Sequence, residues 1–189
     1  DIFPDAVKIG MVSSAELITV IAEKLKQYGA KHIVVDPVMV ATSGAKLLRD
    51  EARTVLMEEL LPLAEVVTPN IPEAELLSGV TVTDEASLYR AADTLLAAGL
   101  QRVFLSLGAD GVLAADHERK IHLHNLPARM VNTTGCGDAF MAAVARAFLD
   151  GADLETAAKR GLAASAIAME SADTINPAMS LTAVAERIQ

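Results

Sequence analysis

Hydrophobic positions along this chain alternate between stripes with helical spacing and short uninterrupted runs, and polar or glycine-containing segments separate them. The first stripe ends at Gly29 and contains Leu17, Val20, Ile21 and Leu25. Ser13 and Glu16 precede it with the spacing of a capping box, in which each side chain bonds to the backbone of the other residue. This pattern predicts a helix that begins after Ser13 and ends before Gly29.

The rest of the chain continues this alternation. Uninterrupted apolar runs predict strands over residues 32–36, 65–68, 102–107, 112–115 and 121–126. Helical spacing predicts further helices over residues 51–61, 71–78, 84–98, 136–149, 154–170 and 181–188. Glycines at positions 79 and 99 stop two of these helices, residues 108–111 turn one strand into the next, and residues 37–46 form a loop.

Strands that alternate with helices of this length are typical of a parallel sheet covered by helices on both faces. The predicted fold class is therefore α/β, with three layers and a mostly parallel sheet. In such sheets ligands bind beyond the carboxyl ends of the strands. Polar residues follow those ends at four places, namely Asp36, residues 68–73, residues 108–111 and residues 132–138.

Composition narrows the classes of protein and partner. With 52% hydrophobic and 22% charged residues, the chain is apolar enough to bury one core, and we expect a single domain over residues 1–189. The net charge of −9 argues against a nucleic-acid partner, because phosphate neutralisation needs a basic face. No apolar run is long enough for a membrane span and no export signal is visible. Together with a single cysteine, Cys136, this predicts a cytoplasmic protein.

The segment over residues 132–138 carries the sharpest chemical signal. Gly135 and Gly137 flank Cys136 immediately before an apolar helix, where several backbone N–H groups can converge on an anion. Asp138 lies in the first turn and, being negative, cannot itself bind a phosphate. It either accepts a proton from an attacking hydroxyl or serves as a favourable charge at the helix N-terminus. The segment is neither a GxxxxGKS/T phosphate loop nor a dinucleotide fingerprint.

The residues Asn-Thr-Thr-Gly-Cys-Gly-Asp-Ala-Phe at positions 132–140 resemble the signature D-T-T-G-A-G-D-A-F of ribokinase-like carbohydrate and nucleoside kinases. From about residue 102 onward the chain resembles that branch. Its earlier part instead resembles hydroxymethylpyrimidine phosphate kinase, another branch of the same superfamily, at residues 8–12, 35–40, 42–44 and 68–73. The resemblance implies a ribokinase-like fold and ATP-dependent phosphoryl transfer, with Mg²⁺, to a hydroxyl of a small molecule such as a hydroxymethylpyrimidine, a sugar or a nucleoside.

The resemblance also implies roles for single residues. Asp138 would be the catalytic base. The backbone N–H groups of Gly135, Cys136 and Gly137 would hold the charge that develops on the transferred phosphoryl group. Nucleotide contacts are expected from Ser106, Gly108, Asp110, Gly111, Thr133 and Asn176.

Magnesium is expected at the ends of two strands. Asn70 and Glu73 match the family's N-x-x-E motif, which organises the metal and its waters, although the same residues with Pro72 also make a good helix start. Asp36 ends a buried strand, where an unpaired carboxylate is costly. It is either held by a neighbouring helix N-terminus or shares the magnesium. Residues 42–44 either touch a phosphate or turn the chain.

Two features depart from the family pattern. Pyrimidine kinases of this type have cysteine where this chain has Asp138. The family's first strand and glycine-rich segment, which build the acceptor pocket, would precede Asp1, so we expect an engineered, recombined or truncated fragment with weak turnover. The sheet edge exposed by that loss predicts a homo-oligomer. The alternatives are a nucleotide-binding module without turnover, and a flavodoxin-like or response-regulator-like domain that uses Asp36.

Overall fold

The centre of the molecule is a six-stranded sheet whose strands lie side by side in chain order. It is seen in a computed structural model that describes residues 2–39 and 48–189, so the expected contacts at residues 42–44 lie outside the described residues. The strands are β1 (Val7–Ile9), β2 (Ile33–Val35), β3 (Val66–Val67), β4 (Arg102–Ser106), β5 (Val112–Asp116) and β6 (Lys120–Leu123). Strands β1 to β4 run parallel, whereas β5 pairs antiparallel with both β4 and β6.

Helices lie on both faces of this sheet. Within the described ranges they are α1 (Ala15–Gln27), α2 (Asp50–Val55), α3 (Ile71–Ser78), α4 (Glu85–Ala97), α5 (Cys136–Leu149), α6 (Leu154–Met169) and α7 (Leu181–Arg187). The first four share one core cluster, α5 and α6 share a second, and α7 packs against α6.

The two core clusters follow from the alternation of side chains along each strand. Val35 and Val67 face the cluster of α1 to α4. Their neighbours Val34 and Val66 face the cluster of α5 and α6, together with the fully buried Phe104. The predicted three-layer α/β fold with a mostly parallel sheet is thereby confirmed.

The start of α1 differs from the prediction by one residue. Ser14, not Ser13, is the N-cap, because its Oγ atom accepts a hydrogen bond from the N–H of Leu17 at 3.2 Å. Ser14 has the extended backbone that a cap requires. Glu16 consequently lies one position short of the place that a capping box needs, and it serves only as a negative charge in the first turn.

The segment predicted as one helix over residues 51–61 contains three successive types of helix. Helix α2 continues as a π turn over Leu56–Leu60 and then as a 3₁₀ turn over Leu61–Leu63. Pro62 explains the change, since its ring displaces the carbonyl one turn earlier and it has no N–H to donate. Among the described residues, no helix combines the length and the apolar content that crossing a bilayer requires.

Candidate active site

A cavity of about 780 Å³ lies at the carboxyl ends of the parallel strands, next to the start of α5. Its polar lining comes from the carboxyl ends of three strands, from the loop before α5 and from the first turn of α5, and includes Asp36, Thr68, Asn70, Glu73, Ser106, Thr133, Cys136 and Gly137. Its apolar wall includes Phe104, Val112, Leu126, Met130, Phe140, Leu162 and Met169. The fold therefore gathers residues that are far apart in the chain around one space, as expected for an open α/β sheet.

Asn70 and Glu73 form a complete capping box at the start of α3. The Oδ1 atom of Asn70 accepts from the N–H of Glu73 at 2.9 Å, and Oε2 of Glu73 accepts from the N–H of Asn70 at 2.9 Å. The second oxygen of Glu73 accepts from the N–H of Met39 at 3.3 Å. The predicted helix start is thus confirmed. A carboxylate that accepts one bond at each oxygen still has lone pairs for a further ligand.

Glu73 is only 2% exposed, and this burial raises its pKa to about 6. The hydrogen bonds from Asn70 and Met39 lower the pKa, and the charge of Asp36 raises it further. Burial also raises the pKa of Asp36 to about 6, while Lys8 lowers it and Asp138 raises it. Two carboxyl groups with raised pKa therefore lie at one end of the cavity, which is the situation that a bound cation would relieve.

The loop over residues 132–137, which we name the anion loop, is fixed by its own amides and by the segment over residues 172–174. Oδ1 of Asn132 accepts from the N–H of Thr134 at 3.0 Å, and Nδ2 of Asn132 donates to the carbonyl of Ala172 at 3.2 Å. Gly135 is the N-cap of α5, with a left-handed φ of 86°. The N–H of Cys136 already donates to the carbonyl of Thr133 at 3.3 Å. The next N–H groups of the turn have no partner within the helix, so they are donors that an anion can use.

Cys136 and Gly137 line the cavity, whereas Gly135 lies behind them, against Thr174. Burial raises the pKa of the Cys136 thiol, which keeps it protonated and unreactive. The carbonyl of Cys136 accepts from Oγ of Ser165 at 2.9 Å, which ties the loop to α6. The thiol is therefore neutral, and the backbone N–H groups of the anion loop are the donors that an anion could use.

Asp138 lies at the mouth of the site and outside the wall of the cavity. Its side chain is 68% exposed, and its Oδ1 atom lies 2.7 Å from Nζ of Lys8 on β1. Sequence reasoning did not find Lys8, because its partner lies 130 positions away. The sequence offered one signal for Lys8, because Lys8 and Gly10 both lie in the segment over residues 8–12 that resembles hydroxymethylpyrimidine phosphate kinase.

The turn after β4 forms a further part of the cavity wall. Ser106, Gly108 and Gly111 line it, whereas Asp110 is exposed and lies outside the lining. Contacts of these four residues with a nucleotide stay predictions. Gly111 has a φ of 101°, and a Cβ atom there would overlap the carbonyl of Leu123.

Asn125, a second residue that sequence reasoning missed, also lines the cavity. It supports the turn by donating to the carbonyls of Gly108 at 2.8 Å and Ala109 at 3.0 Å.

Thr133 and Asn176 have different positions relative to the cavity. Thr133 lies in its wall. Asn176 lies outside it. Its Nδ2 atom donates to the carbonyl of Ile167 at 2.6 Å, and its Oδ1 atom accepts from the N–H of Ala178 at 2.9 Å. Its amide thus connects the end of α6 to the segment before α7. A contact between Asn176 and the nucleotide base stays a prediction.

Comparison with known proteins decides the family of the chain. The sequence profile described as "Phosphomethylpyrimidine kinase" matches residues 1–181. This chain belongs to the phosphomethylpyrimidine kinase family. The match spans both the part that resembles the pyrimidine kinases and the part that resembles the ribokinase branch.

Individual relatives agree with this membership. The chain is 43% identical to the thiamine biosynthesis bifunctional protein ThiED of Geobacter sulfurreducens, over 85% of this chain and 34% of that protein. It is 34% identical to the crystal structure of phosphomethylpyrimidine kinase from Clostridium difficile, with a TM-score of 0.71 over 85% of this chain and 66% of that one.

Arabidopsis thaliana ribokinase shares the fold, with a TM-score of 0.78 and 22% identity, over 98% of this chain and 56% of that chain. This likeness confirms the predicted ribokinase-like architecture. The chain spans 34% to 60% of the length of the first curated relatives that it matches.

The chemistry of the cavity wall fits a magnesium ion. Asp36 and Glu73 offer carboxylate oxygens and Asn70 an amide oxygen, which are the hard ligands that Mg²⁺ prefers. Among the described residues there is no group of three or more His, Cys, Asp or Glu side chains that would enclose a metal. An ion that keeps several waters and completes its shell with phosphate oxygens does not need such a group.

Proposed function

We propose that this chain binds ATP with Mg²⁺ in the cavity and transfers the γ-phosphoryl group to a hydroxyl of a small molecule. The observation that carries the proposal is the arrangement of one cavity between the carboxylates of Asp36 and Glu73 and the anion loop. The carboxylates suit a hydrated cation, the loop suits an anion, and a metal–polyphosphate complex has both charges. Family membership supports the same reaction class.

The apolar and the polar residues that line the cavity would contact different parts of the nucleotide. The apolar wall, with Phe104, Phe140 and Leu162, suits a purine base, which buries flat apolar faces. Ser106, Gly108 and Asn125 also line the cavity and offer polar groups to the ribose and phosphates. The triphosphate then extends toward the anion loop at the start of α5.

The residues near the phosphates would act by charge and position. Asp36, Asn70 and Glu73 would hold Mg²⁺ directly or through its waters, and the ion would offset the negative charge of the phosphate chain. The N–H of Gly137, together with that of Cys136 when it turns from the carbonyl of Thr133, would stabilise the charge that develops on the transferred group. Asp138, at the mouth of the site, would accept the proton of the attacking hydroxyl.

We propose a hydroxymethylpyrimidine or its monophosphate as the acceptor. Curated relatives from Bacillus subtilis and Haemophilus influenzae are named hydroxymethylpyrimidine/phosphomethylpyrimidine kinases, at 44% and 38% identity. A sugar or a nucleoside, which the motif over residues 132–140 also suggests, is the second class of acceptor to test.

Two measurements test the function. Titration calorimetry with Mg-ATP should detect binding, and thermal stability should rise with ligand concentration as mass action requires.

Asp138→Asn should lower any turnover by on the order of 10²–10⁴, because an amide cannot accept the proton. Nucleotide affinity should hold or improve, since a negative charge near the γ-phosphate is removed.

The alternatives give different results in the same measurements. Absence of both heat and stabilisation at millimolar Mg-ATP would rule out the nucleotide site. Binding without any turnover in the unmodified chain would identify a nucleotide-binding module. An unchanged rate in Asp138→Asn would mean that this side chain only caps α5.

A further inference from the structure

A lysine side chain reaches the mouth of the site from the edge strand of the sheet. Lys8 is the middle residue of β1, and its neighbours Val7 and Ile9 belong to the core cluster of α1 to α4. Because side chains alternate along a strand, Lys8 points to the other face, where α5 lies. Its Nζ atom lies 2.7 Å from Oδ1 of Asp138 in the first turn of that helix.

Gly10 leaves space for this ammonium group. A Cβ atom at position 10 would lie 2.9 Å from Nζ of Lys8, closer than two such atoms normally approach. The same ammonium group lowers the pKa of Asp36, so its charge acts on both carboxylates at this end of the sheet. The described residues that line the cavity include no lysine or arginine. Lys8 therefore supplies positive side-chain charge beside the described residues of the cavity wall.

A lysine on an edge strand can also serve only to discourage pairing with strands of other molecules. In that role the ammonium group extends into solvent. Here the side chain is 42% exposed, and its terminal atom forms an ion pair with the proposed catalytic base. The position of Lys8 therefore favours a role in the candidate site over a role limited to the edge of the sheet.

We propose that Lys8 binds the transferred phosphoryl group, and that Asp138 holds its ammonium group in place until the reaction begins. This inference rests on the function proposed above. In the transfer, the acceptor oxygen forms a bond to the γ-phosphorus. The bond from that phosphorus to the bridging oxygen breaks, its electron pair leaves with ADP, and the hydroxyl proton passes to Asp138. A neutral Asp138 attracts the ammonium group less, which leaves Lys8 to the phosphoryl oxygens.

The affinities for Mg-ATP and Mg-ADP isolate the contact, because only ATP carries the γ-phosphoryl group. Asp138→Asn removes the competing carboxylate and frees Lys8, so the preference for ATP over ADP should rise. Adding Lys8→Met to Asp138→Asn should lower that preference by about tenfold, as expected for a charge-assisted hydrogen bond at a partly exposed site. Calorimetry without acceptor measures both affinities, and thermal unfolding confirms that each variant is folded.

The double variant is needed because Lys8→Met alone would leave Asp138 unpaired beside the phosphate, and repulsion would weaken ATP binding whatever Lys8 touches. Two further variants in the Asp138→Asn background sharpen the result. Lys8→Arg keeps the positive charge and should retain most of the preference. Gly10→Ala keeps Lys8 but displaces its Nζ atom, and it should lower the preference by less than Lys8→Met does.

Lys159→Met is the matched control. Lys159 pairs with Glu155 at 2.7 Å on α6, its side chain is 49% exposed, and its removal changes the net charge equally. It should leave the ATP preference unchanged. If the unmodified chain binds neither nucleotide, the proposed function and this inference both fail. If Asp138→Asn prefers ATP and the double variant prefers it equally, only the inference fails, and Lys8 merely pairs with Asp138.

Discussion

At the scale of single residues, the two glycines of the anion loop serve different physical purposes. Gly135 has a φ of 86°, and a Cβ atom there would lie 2.7 Å from the carbonyl oxygen of Thr174. Gly137 lies inside the first turn of α5, and nothing lies within 4 Å of the place where its Cβ would be. Gly135 is therefore required by the fold, whereas Gly137 leaves room for a ligand in the cavity.

Alanine at each position should separate these purposes. Gly135→Ala should lower the free energy of unfolding by about 1–3 kcal/mol, because the left-handed backbone and the contact with Thr174 both become strained. Gly137→Ala should raise it by about 0.5–1 kcal/mol, as expected for alanine within a helix. The same methyl group should weaken Mg-ATP binding.

Urea unfolding measures the stabilities and calorimetry the affinities. Equal stabilities for the two variants would contradict this division between fold and ligand.

Residue types at the site were more predictable from sequence than their contacts. The strand ends and the glycine pair identified Asp36, Glu73 and the anion loop, because ligands bind where parallel strands end. Lys8 was not predictable in this way, since a residue on a short edge strand has no local signal for a partner in α5. Asn125 was missed for a similar reason, because its contacts follow from the pairing of β5 and β6.

At the scale of elements, the close approach of α5 and α6 depends on a glycine within a helix. Gly161 lies in the middle of α6, and a Cβ atom there would lie 2.6 Å from the ring of Phe140 on α5. That ring lines the cavity and also packs edge-to-face against Phe104, with the ring centres 5.8 Å apart. Packing between two helices thus sets the position of an aromatic ring in the proposed base site.

Gly161→Ala should destabilise the protein even though alanine favours a helix. Overpacking costs about 1–3 kcal/mol, and a contact as close as 2.6 Å should bring this cost above the roughly 1 kcal/mol that the higher helix propensity contributes. Phe140→Leu in the same chain should recover part of the loss by removing the overlapping ring atoms, so the two substitutions should be non-additive. A double-mutant cycle from urea unfolding measures this coupling. Strict additivity would show that the ring does not meet position 161.

Most elements followed their sequence pattern, including the two-residue strand β3, whereas β1 and the segment after α2 did not. Helices α4, α5 and α6 lie within one residue of the predicted bounds, because caps and glycines mark their ends. Strand β1 was not predicted, since three residues with one exposed lysine are too few to show an alternation. The π and 3₁₀ turns after α2 also have no simple periodicity, and only Pro62 signalled a break.

At the scale of the whole molecule, the two buried carboxyl groups link stability to pH. Burial raises the pKa of both Asp36 and Glu73 to about 6 from ordinary values near 4. The folded chain therefore binds these protons more tightly than the unfolded chain does. Their contribution to stability is fully present below the unfolded pKa values and is lost as pH rises through about 6.

Asp36→Asn should accordingly flatten the fall in unfolding free energy between about pH 4.5 and pH 7. Asp93→Asn is the control, because Asp93 lies on the surface of α4 and pairs with Lys120. Its unfolding free energy should fall with pH as steeply as that of the unmodified chain. Urea unfolding at several pH values measures the slopes. Added Mg²⁺ should stabilise the unmodified chain more at pH 7 than at pH 5, since protons and the cation compete for the same oxygens. A slope that Asp36→Asn leaves unchanged would contradict this assignment.

The order of the strands has a consequence for synthesis. Because spatial order follows chain order, each strand pairs with the strand that left the ribosome just before it. The sheet can therefore grow from one edge to the other while translation continues. The ion pair between Lys8 and Asp138 joins the first strand to a helix made much later. A nascent chain thus carries a sheet well before it carries the complete candidate site, because Lys8 can pair with Asp138 only after α5 has emerged.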